Sequence, residues 1–260
     1  MIRTAFVVAA ALFFAITQQV PNFAPVTDEV LRNPSPNDWL MFSRTYDAQR
    51  FSPLNQINKQ NVSQLKLAWS REMGTSGSQE SIPLVYRGLM YTFHPGATIQ
   101  ALDAANGTLI WEYKRAGTSK TKGLAIYEDM VYFTTPDGAL VALDARDGHI
   151  HWETRIGEAA GTSGPIVVEG KVITGRACAR TRESCFIAAH DARTGKELWK
   201  FHTIPAKGEP GSESWGPDGP ADNMMASTWG MMGSYESCPE ADLLGNRKSH
   251  AEHAHGAPCR

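Results

Sequence analysis

The sequence predicts an all-β fold, an arc of a β-propeller built from four-stranded blades. Three observations carry that prediction. The pattern Asp-Ala-x-x-Gly-x-x-x-Trp occurs three times, beginning at Asp103, Asp144 and Asp191. Trp69, Trp111, Trp152 and Trp199 follow one another at intervals of 42, 41 and 47 residues. Four short β-rich runs fit into each interval, and four strands per roughly 40–50 residues is the period of a propeller blade.

The blades can be justified in order. The first reads IPLVY, a turn at Arg87-Gly88, LMYTFH, TIQALDA, a turn ending at Gly107, then TLIWEY. The second reads GLAIY, a turn at Glu128-Asp129, MVYFTT, the turn Pro136-Asp137-Gly138, and the strands around ALDARDGHIHWET. The third reads GPIVV, a turn at Glu169-Gly170, KVITG, and the strands of AAHDARTGKELWKF. In each, the Asp and Gly of the repeat bracket a hairpin turn, and Gly supplies the positive φ. A lone N-terminal strand is expected around Trp69. One meander has two apolar faces and cannot bury both. Stacked blades bury each other's faces, with an indole filling each gap. Three copies at one spacing argue against a β-sandwich with coincidental periodicity.

Bulk properties fit this reading. The 260 residues are 42% hydrophobic, with 23 Gly and 15 Pro, which suits short strands joined by tight turns. Net charge is −2, and no basic patch interleaves with aromatics, so no nucleic-acid partner is expected. Arg3 followed by the apolar run Ala5 to Ile16 reads as a signal peptide or uncleaved anchor over residues 1–24. A buried first helix is the alternative. The run is short of the ~20 residues a membrane span needs. Export would place the protein in the periplasm, membrane-associated only if the segment is uncleaved. There the cysteines meet an oxidising environment, and Cys178 and Cys185 either pair locally or remain separate thiols.

The repeats, with DWLMFSRTYDAQRFSPLNQINKQNVSQLKLAWS (38–70), HDARTGKELWKFHTIPAKGEPG (190–211) and STWGMMGSY (227–235), resemble the eight-bladed pyrroloquinoline-quinone (PQQ) dehydrogenases. The resemblance covers residues 36–235 and is strongest to alcohol dehydrogenases that pass electrons to a cytochrome c. It implies PQQ as cofactor, Ca²⁺ or a lanthanide as Lewis acid, and a small primary alcohol as substrate. It also implies site residues. Trp229 matches the tryptophan that stacks under the quinone, although a blade-packing role is the alternative. Ser227 falls where the family has a hydroxyl near PQQ, and Glu80 matches a glutamate that hydrogen-bonds it, an ordinary solvated loop carboxylate being the alternative. Lys122 falls where the family has an arginine, keeping the charge without the bidentate fork. Thr162 matches a threonine on a cofactor carboxylate, with an ordinary surface-turn residue as the equal alternative.

The chain also departs from the pattern. Ala116 and Gly117 stand where many relatives carry adjacent cysteines. Arg180 occupies the place of a metal-binding glutamate, and Glu183, three residues on, is the substitute candidate. The family's catalytic aspartate is expected beyond residue 260. After Glu236 the strand pattern stops at SCPEADLLGNRKSHAEHAHGAPCR. Codon degeneracy allows an adjacent frame reading YWGIGNPTPNMRMERHG, which contains the expected family strand. An out-of-frame tail over 236–260 is therefore expected, and with it His250, His253, His255 and Cys259 as no designed metal site. The chain alone is expected to be inactive. A non-enzymatic propeller of the same repeat type, serving as an envelope scaffold, is the other functional reading.

Overall fold

The computed structural model describes residues 20, 22–73, 80–117, 121–157, 163–175, 185–217 and 233–236. These hold three four-stranded antiparallel sheets. The first is β1 (Leu84–Tyr86), β2 (Leu89–His94), β3 (Thr98–Asp103) and β4 (Leu109–Lys114). The second is β5 (Ala125–Tyr127), β6 (Met130–Thr134), β7 (Ala139–Asp144) and β8 (Ile150–Arg155). The third is β9 (Ile166–Val168), β10 (Lys171–Gly175), β11 (Phe186–Asp191) and β12 (Glu197–His202). Strand order within each sheet follows the chain, so all three are the expected meanders.

The repeat explains how the sheets stack. In the second sheet the Asp144 carboxylate accepts from Arg146 N at 2.8 Å, and Gly148 N donates to Asp144 O at 2.9 Å, closing the turn. Each tryptophan then docks on the turn of the next blade rather than its own. Trp69 Nε1 donates to Ala104 O at 3.1 Å, Trp111 Nε1 to Ala145 O at 3.0 Å, and Trp152 Nε1 to Ala192 O at 2.9 Å. The indole lies flat on the turn glycine. A Cβ at Gly107, Gly148 or Gly195 would sit 2.6, 2.7 or 2.4 Å from ring carbon of Trp69, Trp111 or Trp152. The repeated turn geometry thus needs Gly for two reasons, φ of +70 to +79° and the space its missing Cβ leaves. Tyr91 and Tyr132 hydroxyls add bonds to the same Ala145 and Ala192 carbonyls, at 3.0 and 3.2 Å.

The faces between blades follow the two-residue alternation of strands. Phe93 and Tyr113 of the first blade pack against Phe133 of the second, with ring centroids 6.2 and 5.6 Å apart. On its other side the first blade is polar. Arg71 Nε donates to Gln100 Oε1 at 2.9 Å, and Gln100 Nε2 to Glu112 Oε2 at 2.6 Å. Trp199, the last indole of the series, is 43% exposed, against 1% for Trp111.

Two features differ from expectation. Residues 65–73 form no strand, although Trp69 docks as the other indoles do. No ladder partner lies beside this segment among the described residues, and the side-chain bonds that tie it to the first blade there are those of the Trp69 indole and Arg71. A short helix, α1 (Asp28–Arg32), precedes the blades; Thr27 caps it and Leu31 is buried beneath it. The N-terminal arm then crosses the first strands of the blades. Val26 bridges Glu128, Trp39 bridges Val85, and Tyr46 Oη donates to Val167 O at 2.6 Å. No helix among the described residues is long and apolar enough to cross a membrane.

Candidate cofactor site

The first strand of each blade lies at one edge of its sheet, and β5 lies beside β9. The segments leading into β1 and β5 also meet: Ile82 forms a parallel bridge with Gly123, and Ile82 N donates to Lys122 O at 3.4 Å. This junction brings Glu80 and Lys122 together. They are 42 positions apart in the chain, yet the Lys122 ammonium is paired directly with the Glu80 carboxylate. Neighbouring residues fix both segments. Ser81 Oγ donates to Phe93 O at 2.8 Å, and buried Thr121 Oγ1 donates to Thr134 O at 3.1 Å. The blade strands therefore pin the backbone on either side of the pair. The Lys122 side chain is 19% exposed and that of Glu80 36%, so the pair is sheltered but reachable.

Chemically the pair offers ammonium N–H donors and a carboxylate acceptor at the edge where two blades converge. Those are the groups an anionic, oxygen-rich ring requires for orientation. Two of the residues expected from the sequence to touch a cofactor are thus brought together. Thr162, Ser227 and Trp229 lie outside the described residues, as do Glu183 and Arg180. Gly117 is described, with φ +113° and Pro136 3.1 Å from where a Cβ would stand, at a place expected to lack the paired cysteines. Cys185 is disulfide-bonded, while Cys178, Cys238 and Cys259 lie outside the described residues.

Among the described residues one group of metal-ligating side chains converges: Asp129, Asp144 and His151. It does not fit a metal. Arg146 already fills it, paired with Asp144 and 3.3 Å from Asp129. Burial alone would push the Asp144 carboxyl up. The Arg146 guanidinium, the Arg146 backbone N–H and His151 overcome that and hold it at about 2. The cluster is a structural tie around the repeat turn. Sequence reasoning placed Asp144 in that turn but not its ion pairs, since Arg146 is not repeated at the matching position of the first blade, Ala105.

Residues 39–236 match the family model described as PQQ: glucose/ethanol/alcohol dehydrogenase, beta-propeller domain. The chain belongs to this family. Within the PQQ dehydrogenase family it is 36% identical over 230 residues to the quinohemoprotein alcohol dehydrogenase ADH-IIG of Pseudomonas putida, covering 83% of this chain and 31% of that enzyme. The solved structure of ADH-IIG matches with a TM-score of 0.65 at 35% identity, covering 71% of this chain and 30% of that one. A europium-containing methanol dehydrogenase matches with a TM-score of 0.65 at 30% identity, covering 70% of this chain and 35% of that one. The methanol dehydrogenase [cytochrome c] subunit 1 of Methylorubrum extorquens is 31% identical over 66% of this chain and 31% of its own length. The chain therefore spans about a third of the length of the relatives it matches.

Proposed function

We propose that this chain forms part of a PQQ-dependent alcohol dehydrogenase and carries one side of its quinone site. The single observation that carries the reading is the Glu80–Lys122 pair at the inner junction of the first two blades. PQQ, when bound, supplies the two-electron acceptor for oxidation of a small alcohol. Lys122 donates from its ammonium to an anionic oxygen of the ring system. Glu80 steers Lys122 and offers a second polar contact. Thr162, Ser227 and the stacking Trp229 complete the shell from segments that precede or follow the blades in sequence. A cytochrome c is the electron acceptor, a reading supported by the cytochrome-linked relative. Ca²⁺ or a lanthanide is the metal, the latter supported by the europium enzyme, with Glu183 as its candidate ligand here. Export to the periplasm is supported by Arg3 and the apolar run after it. The 260 residues alone do not turn over, because none of them matches the family's catalytic aspartate.

Equilibrium dialysis of PQQ against the purified chain tests the reading. Lys122→Ala should weaken binding by about 10- to 100-fold, the worth of a hydrogen bond to a charged group, while Lys122→Arg keeps most of it. Equal binding by wild type and Lys122→Ala, with unchanged circular dichroism, would remove Lys122 from the site. Dye reduction by the chain with PQQ, Ca²⁺ and ethanol would show that these residues suffice for catalysis.

A further inference from the structure

His190 stands out among the buried side chains. It is 1% exposed, and both ring nitrogens lack a hydrogen-bond partner. The internal repeat shows what the position ordinarily holds. His190 pairs with Val172, as Leu102 pairs with Met90 and Leu143 with Val131. Each of the three immediately precedes the aspartate of the repeat, so the first two blades carry leucine where the third carries an imidazole.

Its surroundings follow from register. Paired residues share a sheet face, and in the second blade that face, through Phe133, packs against the first. His190 therefore looks toward the second blade, beside Thr174, whose buried hydroxyl is also unpartnered. From the second blade, Tyr132 and Trp152 reach across this joint to Ala192 O, two residues away. The charged and titratable groups on its own face are Glu197 and Lys200, paired with each other at 2.7 Å on β12, and His202 at the far end of that strand, opposite Phe186. The titratable groups on the facing side of the second blade are the Tyr132 and Tyr127 phenols and, at the turn end of that face, the Asp144 carboxylate, which is tied to Arg146. At the rim, Arg193 pairs with Glu128 at 2.5 Å. Asp191 and Lys171 point to the opposite face.

We infer that His190 makes the joint between the second and third blades acid-labile, a protonation switch built into the fold. A neutral imidazole tolerates this apolar setting. An imidazolium brings a charge and two donors with no acceptor, so it is accommodated only when the third blade opens to water. Burial correspondingly depresses His190 proton affinity, with Glu197 opposing and Lys200 reinforcing the effect. The sign follows: the unfolded side chain takes up its proton near pH 6.5, the folded one lower. The joint is fully stable above that pH and loosens as pH falls below it, by up to about tenfold in the opening equilibrium per pH unit.

Amide hydrogen exchange of the full chain, corrected for intrinsic rate, tests this without quinone or metal. Between pH 7 and 5.5 the opening constant of β10–β12 amides should rise about 3- to 8-fold in wild type, the upper figure being the most one histidine can supply. In His190→Leu, the side chain of the other two blades, it should stay flat. His190→Gln, which cannot titrate, should also be flat and serves if the leucine variant folds poorly. A wild-type blade insensitive to pH, or a variant with the same acid response, would overturn the inference. PQQ affinity bears on neither outcome.

Discussion

Gly148 shows what the repeat demands of one residue. It sits at φ +79°, and the Trp111 ring covers the place a Cβ would take. Gly148→Ala therefore combines a left-handed backbone cost with overpacking, about 2–5 kcal/mol together. Urea unfolding followed by circular dichroism should read that loss. Trp111→Ala should cost about 3–5 kcal/mol, because it empties a buried seat and leaves Ala145 O without one of its two donors. Trp199→Ala should cost less, about 1 kcal/mol, the residue being 43% exposed with no next-blade turn seated under it among the described residues. A comparable loss at both tryptophans would contradict the docking scheme. The Asp, Gly and Trp positions were legible in the sequence because turn chemistry and a large aromatic recur at fixed offsets. That each indole seats on the following blade was not, since spacing alone does not say which neighbour a side chain meets.

Between elements, the first two blades are also tied by an ion-pair clamp. Arg115, just after β4, donates to Asp137 at 2.9 and 2.7 Å and to Glu153 at 2.9 and 2.8 Å. The Arg115 guanidinium holds Asp137 at about 2 and draws Glu153 below the usual carboxylate range. Both folded values are depressed, so this stabilisation is present above about pH 4 and is lost as pH falls toward 2. Both carboxylates are more than a third exposed and screened. Arg115→Lys, which loses the fork, should therefore cost only about 0.5–1 kcal/mol at neutral pH. That difference should shrink in thermal melts taken near pH 2.5. The strands themselves were legible from alternation and turn residues. The clamp was not, because its three members come from two blades. Helix α1 carried a readable start signal, Thr27 before Asp28 and Glu29, but its five residues are too few for a periodic pattern. The segment around Trp69 reads as a strand by composition. Composition cannot supply the neighbouring strand on which a ladder depends.

Across the whole molecule, three blades repeat one contact and place the Glu80–Lys122 pair where their first strands converge. The blade count and order could be read from the tryptophan spacing. Convergence of Glu80 with Lys122 could be anticipated only through family resemblance, since nothing in the spacing links two residues on separate blades. Large apolar side chains remain exposed on residues 51–67 and on β12, including Phe51, Leu67 and Phe201. The two groups belong to the first and last parts of the repeat array, where no neighbouring blade covers them among the described residues. The most direct test is a crystal structure of the chain grown with PQQ and Ca²⁺. The account predicts quinone density within hydrogen-bonding distance of Lys122 Nζ, beside Glu80, with Trp69, Trp111 and Trp152 each seated on the next blade's glycine. Quinone bound away from that junction, or indoles scattered over unrelated surfaces, would contradict it.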